Sequence, residues 1–312
     1  MDVPRPARWP GLSLGRRASR SRGPLAGEGR WALLFLAPTL IGLAILSAGP
    51  IAATVGISLT RWDLLRAPEF VGLDNYTALL ADDRFLKALR NTFFYTAVSV
   101  PLGLAIALGL AVALNQTIRG IAWVRTAYFL PVVTSTVAIA LVWQWIYAVD
   151  AGLLNQVLGV FGIAPRKWLV DPTLAMPSIV AMSIWQGLGT NIIIFLAGLQ
   201  AVPVELLDAA GVDGAGRWAR FRHVVLPLLT PSIFFTGVLS LIGSFQVFDQ
   251  IYVLARPRPT EATITIVYFI YENGFKFFKM GYASAASWIL FVIVAVFTLI
   301  YFRGHDRWVH YQ

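Results

Sequence analysis

The 312-residue chain contains no cysteine, which excludes disulfides, thiol catalysis and thiolate metal sites. Histidine is almost missing, limited to His223, His305 and His310, and no metal-binding constellation is visible. Charge is scarce too. Asp, Glu, Lys and Arg make up 13% of the chain, against roughly 25% in an average soluble domain. What fills the gap is apolar: 57% of residues are hydrophobic and the mean hydropathy is +0.69.

Six stretches lack every Asp, Glu, Lys, Arg and His: Trp31–Thr60, Asn91–Ile118, Thr126–Val149, Pro172–Val204, Val224–Phe248 and Met280–Phe302. Each exceeds the roughly 20 residues that a helix needs to cross hydrocarbon. A β-barrel would alternate apolar and polar residues over about 10 positions, and these runs are continuous. The expected fold class is an all-α membrane protein with six transmembrane helices. A seventh run, Ala262–Tyr271, is too short to cross at about 1.5 Å per residue and reads as a membrane-surface or re-entrant element.

The net charge of +9 is concentrated at the start, where residues 1–30 hold seven Arg against Asp2 and Glu28. Rich in Arg, Pro, Gly and Ser, this segment reads as a disordered basic tail. Placed before a first span, it acts as a cytoplasmic retention signal rather than a nucleic-acid site. The apolar run behind it is too long for the 7–15-residue core of a signal peptide. Six spans then place both termini in the cytoplasm. The expected organisation is tail 1–30, six-span transmembrane domain 31–302 and C-terminal tail 303–312. On the outer side, Asp82–Asn91 carries an acid pair ahead of Phe85, Leu86 and Leu89. Its residues fit either a short helix on the membrane surface or a loop packed on the helix ends.

Between the fourth and fifth runs lies PVELLDAAGVDGAGRWARFRHVVLPLLTP, residues 203–231. Pro203 bounds a helix, and Glu205 and Asp208 sit near its favoured N-terminal end. Gly211 and Gly214 interrupt helical preference. A second short helix is expected, with Trp218 and Phe221 on one face and Arg217, Arg220 and Arg222 near its C-terminal end. Pro227 and Pro231 punctuate entry to the next span. The residues alone leave two readings open: a surface that docks a partner, or a connector that only anchors to lipid.

This segment resembles the EAA loop of bacterial ABC importer permeases, where a cytosolic ATPase grips the membrane subunit. The family pattern is an acid, Ala-Ala, three residues, then Gly, with Phe and Pro further on. Asp208-Ala209-Ala210, Gly214, Phe221 and Pro227 fill those places, with Asp208 one methylene shorter than the usual glutamate. FLAPTLIGLAIL (35–46), FVGLDNY (70–76), residues 90–114, FLPVV (129–133) and GYASAAS (281–287) are similar to the carbohydrate-uptake branch, the maltose and glycerol-3-phosphate types. One departure is Ala255–Pro259, where the family often has a Gly-rich stretch ending in Pro.

The resemblance implies a type I importer permease fold in the bacterial cytoplasmic membrane. It implies coupling residues Glu205, Asp208, Ala209, Ala210, Gly214 and Phe221 within a cytoplasmic loop 203–227. It also implies a second homologous permease, a dimer of ATPase subunits and an extracytoplasmic substrate-binding protein. The chain lacks G-x-x-x-x-G-K-[ST], so ATP and Mg would be used by the partner ATPase and no cofactor is held here.

Polar groups inside spans are costly and point to a lined cavity. Ser183, Gln186, Gly187 and Thr190 repeat at helical spacing in the fourth run. Ser240, Gly243, Ser244 and Val247 do so in the fifth. Aligned through Trp185 and the EAA loop, they fall where the maltose permease lines its sugar. Packing between helices uses the same small residues, so both readings stay open. Trp143, Trp145 and Trp185 are candidates to stack on a sugar, or members of an interfacial belt. The expected function is the permease subunit of a sugar or oligosaccharide importer. Glycerol-3-phosphate or a glycerophosphodiester is the alternative substrate. A stand-alone secondary transporter and a membrane scaffold are the alternatives of another class, and the near absence of ionisable residues within the spans argues against ion coupling.

Overall fold

The computed structural model describes residues 28–116, 119–255 and 261–305. The arginine-rich tail to residue 27, the stretch 256–260 and residues 306–312 lie outside them, with the expectations placed there. The chain divides into two units, Met1–Ala53 and Thr54–Gln312. The first contributes most of helix α1, Trp31–Ser58. Its side chains are mostly exposed as far as Gly56, Phe35 and Leu46 by 76% and 77%, and Ser58 at its end is buried.

The second unit opens with a two-stranded antiparallel ribbon, β1 (Thr60–Arg61) and β2 (Glu69–Phe70), in the register Thr60↔Phe70. Helices follow: α2 (Asp74–Leu80), α3 (Asp83–Leu114), α4 (Ile121–Val133), α5 (Thr136–Ile146), α6 (Leu153–Val160), α7 (Ala175–Gln200) and α8 (Val204–Val212). The rest is α9 (Arg217–Phe245), α10 (Asp249–Leu254), α11 (Ile266–Tyr271) and α12 (Met280–His305). Helices dominate because a backbone in lipid must satisfy every N–H and C=O within its own segment.

Among the described residues five helices are long and apolar enough to cross a membrane, and a sixth if the bent pair α4–α5 counts as one span. That pair corrects the third expected span, which is no continuous helix. Its halves turn by 103° where Thr134 and Ser135 adopt extended ψ values of 142° and 129°. Pro131 lies one turn before the break, and Thr134 spends its hydroxyl on the Leu130 carbonyl at 2.9 Å. Asp82–Asn91 forms neither a surface helix nor a loop. Asp82 caps α3 by accepting from the Arg84 and Phe85 amides at 2.8 and 3.3 Å, and the helix runs on for 32 residues. At 1.5 Å per residue that is about 48 Å, well beyond the ~30 Å hydrocarbon core, so its first turns stand clear of the membrane. Residues 262–271 are not on a surface either. Thr263, Ile264, Thr265, Ile266, Tyr268 and Phe269 are at most 2% exposed. The polar ones are held by the bundle: Thr265 Oγ1 donates to the Val247 carbonyl and Thr92 Oγ1 accepts from the Ile266 amide.

α3 and α7 make the most extensive helix–helix packing of the bundle. Two apolar clusters mark the ends of the bundle. One gathers Leu79, Phe85, Ile179, Met182, Ile251 and Phe269. The other gathers Ala111, Leu114, Phe195, Leu199 and Leu229, beside the 203–216 loop. Small residues permit close approach. A Cβ on Gly189 would strike the Tyr128 carbonyl of α4, and one on Gly281 would strike the Thr60 carbonyl. The latter explains GYASAAS. Its glycine locks α12 to the ribbon, while Ala283, Ala285 and Ala286 are buried.

Candidate functional site

The 203–227 loop begins with Pro203 in extended conformation (φ −60°, ψ 129°) as the cap of α8, with Glu205 in its first turn. Gly211 stays inside α8, so it does not interrupt the helix as expected. The break comes at Gly214, whose φ of +81° is the left-handed conformation that glycine adopts without strain. The Ala215 amide donates to the Ala210 carbonyl at 2.9 Å and the Gly214 amide to the Gly211 carbonyl at 3.1 Å. This paired closure uses carbonyls that a helix end would otherwise leave unmet. Asp208 and Ala209 are exposed, and Ala210 faces inward.

The second leg is not a separate short helix. Arg217–Arg220 continues through a wide turn, Phe221–Val225, into the fifth span. Pro227 and Pro231 lie inside it, Pro227 in the first turn of the regular α segment that begins at Leu226. The arginines therefore stand at the positive end of a long helix, the reverse of the expected polarity. Trp218 and Phe221 pack ring to ring at 5.6 Å.

A polar crevice of about 210 Å³ lies between three spans. α7 supplies Ser183, Ile184, Gly187 and Asn191, and α9 supplies Ser240, Gly243 and Ser244. α3 supplies Tyr95, Ser99, Val100 and Gly103. No charged side chain lines it. Ser183 and Ser244 donate to their own helices at 2.9 and 2.8 Å, leaving hydroxyl oxygens as acceptors. Ser99 Oγ is buried without a hydrogen-bond partner.

Of the eight candidates, Ser183, Gly187, Ser240, Gly243 and Ser244 come together here and three do not. Gln186 donates to Thr136 Oγ1 of α5 at 3.0 Å, Thr190 is exposed and does not line the crevice, and Val247 is 5% exposed in the core. Tyr95, Ser99 and Asn191 were missed. Their signal is legible afterwards: Tyr95, Ser99 and Gly103 recur at every fourth residue. Trp143 and Trp185 meet edge to face at 5.5 Å in a separate apolar cleft of about 460 Å³. Trp145 does not line that cleft.

At the far end from the loop, Glu272 is held in a nearly buried ion pair with Arg84 at 2.6 Å. Lys87 pairs with Glu261 at 3.1 Å, and Tyr282 donates to Asp82 at 2.7 Å. In the loop before α7, Asp171 accepts from the Thr173 hydroxyl and amide at 2.7 and 2.8 Å. These bonds hold its carboxyl below the usual carboxylate range.

A bundle of membrane-spanning helices, with an uncharged polar crevice and an exposed elbow joining two of its walls, is the architecture of a transporter's membrane subunit. A family model described as "Binding-protein-dependent transport system inner membrane component" matches residues 84–309. The chain is 38% identical over 283 residues to the probable ABC transporter permease protein YesP of Bacillus subtilis (strain 168), covering 89% of this chain and 91% of that one. It is 34% identical over 282 residues to the sn-glycerol-3-phosphate transport system permease protein UgpA of Agrobacterium fabrum, covering 89% and 95%. Its fold matches, with TM-score 0.81 and 25% identity over 91% and 97% of the two chains, a chain of a bacterial alginate ABC transporter in complex with an alginate pentasaccharide-bound periplasmic protein. The chain belongs to the family of inner membrane components of binding-protein-dependent transport systems. It has the type I ABC importer permease fold and is a multi-pass inner membrane protein.

Proposed function

We propose that the chain is one of two permease subunits of an ATP-driven importer of a sugar or oligosaccharide, and forms half of its translocation path. The observation that carries this is continuity. α7 leads into the elbow at Pro203 and α9 leads out of it, and the same two helices wall the crevice. A force on the elbow is a force on the path.

In this reading the elbow is cytoplasmic and a partner ATPase grips Glu205, Asp208–Ala210, Gly214 and Phe221. ATP and Mg act at that partner, and this chain performs no catalysis. Closure of the ATPase pair tilts α7 and α9 as rigid bodies and switches the access of the crevice. An extracytoplasmic binding protein delivers substrate, and a second permease completes the pathway. The hydroxyl, amide and backbone groups of the crevice suit a neutral polyhydroxylated substrate. A phosphorylated polyol, suggested by the name of the Agrobacterium relative, would need a cation from the second permease.

The test is purification of the chain from its native membrane in mild detergent, followed by mass spectrometry and uptake in proteoliposomes. A Walker-motif ATPase, a second six-span protein and ATP-dependent sugar uptake are expected. Recovery of the chain alone, with uptake driven by an ion gradient, would overturn the reading in favour of a secondary transporter.

A further inference from the structure

An apolar groove of about 640 Å³ runs between α3 and the first turns of α9. One wall is Ala105, Leu108, Gly109 and Val112, and the other is Trp218 and Phe221, with Arg217 at the mouth. Val112 lies two residues before the end of α3, so the groove is at the membrane boundary rather than in its middle. Gly109 leaves it open: a Cβ there would meet nothing within 4 Å. Trp218 is 70% exposed, at a level where interfacial tryptophan is favoured.

The one charged side chain that lines this groove, Arg217, is basic. Arg217, Arg220 and Arg222 occupy the start of a 29-residue helix, where the macrodipole already places positive charge. Cations at that end repel the dipole and are not offset by a described ion pair; those found involve Arg61, Arg84 and Lys87. An anion at the mouth would relieve both, and the hydrocarbon behind it needs an apolar occupant.

We infer that this groove binds an anionic phospholipid of the cytoplasmic leaflet, with the phosphate against Arg217 and the helix start, and one acyl chain between α3 and Trp218. Basic pockets between membrane helices hold anionic headgroups in this manner. The inference rests on the proposed cytoplasmic placement of the elbow. It adds a ligand to the segment that carries the coupling motion, so leaflet composition tunes the elbow's position.

The test uses the full chain and its assembled complex, purified and exchanged into phosphatidylcholine nanodiscs with graded phosphatidylglycerol. Bound lipid is counted by native mass spectrometry. Retention of phosphatidylglycerol over phosphatidylcholine is expected in both preparations. Arg217→Gln should weaken it about fivefold, the ~1 kcal/mol that one basic residue contributes beside an anionic surface. Gly109→Leu, whose Cβ enters open space and whose side chain would occupy the groove, should abolish it. Equal retention of the two lipids overturns the inference, as does full retention by Gly109→Leu. Retention by the free chain but not by the complex overturns it as well, because a partner helix then fills the groove. Lipid counting needs no transport, so failure of the importer reading would appear only in the uptake assay.

Discussion

Replacing Gly214 gives the elbow a graded load. At φ +81° a Cβ crowds the following carbonyl, and the left-handed conformation costs an ordinary residue roughly 1–2 kcal/mol. Asn tolerates this conformation better than Ala, and Ala better than a β-branched residue. Proline is worse than all three. It fixes φ near −65° and removes the amide that donates to the Gly211 carbonyl, a penalty of about 3 kcal/mol or more. The elbow is exposed and lies outside both apolar clusters, so the cost falls on its closed conformation and not on the bundle. If the ATPase grips only the closed elbow, its apparent affinity falls by the fraction that remains closed. One to two kcal/mol corresponds to about 5–30-fold. Gly214→Asn, →Ala, →Val and →Pro should therefore lose ATPase co-purification and ATP-dependent uptake in that order, with Pro near zero. Membrane insertion and the monodispersity of the purified chain should not change. Uptake at the original level by Gly214→Pro, or equal losses across the series, would refute the reasoning.

Further substitutions separate the other claims. Asp208→Lys should abolish transport with insertion intact, read in the same assay. Ser183→Leu projects into the crevice and should cut uptake at least tenfold in proteoliposomes, whereas Thr190→Leu, on the exposed face, should cut it far less. Glu272→Gln leaves the Arg84 guanidinium with only its longer ion contact, to Glu261 at 3.8 Å. Because Arg84 is 36% exposed, the cost should stay below the 3–5 kcal/mol of a fully buried pair, at about 2 kcal/mol, visible as a lower Tm that Arg84→Met largely restores. Asp171 has a lowered carboxyl pKa, so its support of the 171–174 turn is present above the ordinary carboxylate range and lost as pH falls through the lowered value. Asp171→Asn should increase proteolysis of that loop at neutral pH, a difference that vanishes once the pH falls below the lowered carboxyl pKa.

The uncharged runs located the spans because lipid leaves a backbone few options, and five of the six runs hold one long helix. The third failed because hydropathy measures composition and not direction. Thr126–Val149 is as apolar as its neighbours, and only the φ/ψ values at Thr134 and Ser135 bend it. For residues 262–271 length excluded a span and left a surface or a re-entrant element open; the burial of Thr263 and Thr265 removes the surface alternative. The crevice was half legible. Helical spacing found Ser183, Gly187 and the α9 stripe, but the true face of α7 is rotated towards Ile184 and Asn191. α3 was overlooked because Tyr95 and Ser99 sit within a run that otherwise reads as lipid-facing. At the elbow the sequence marked the helix after Pro203 and the glycine break, but not which glycine makes it: Gly211 stays helical and Gly214 takes the left-handed cap. The direction of the second leg was not legible, because Pro227 and Pro231 look like stops and instead lie in the first turns of a span.

Pro101 lies inside α3, between Ser99 and Gly103 at the crevice. A proline deletes one rung of the helical ladder, the bond its nitrogen would make to the carbonyl four residues earlier. The longest described helix of the bundle thus lacks one rung beside the crevice, with the Arg84–Glu272 clasp at one extremity and Gly109 and Val112 near the other. A beam hinged at mid-span behaves as a toggle: flexing by about 5° swings each ~24 Å arm by roughly 2 Å at its tip. On the proposed reading of the crevice as the substrate path, such a flex would couple the crevice to both extremities of the helix.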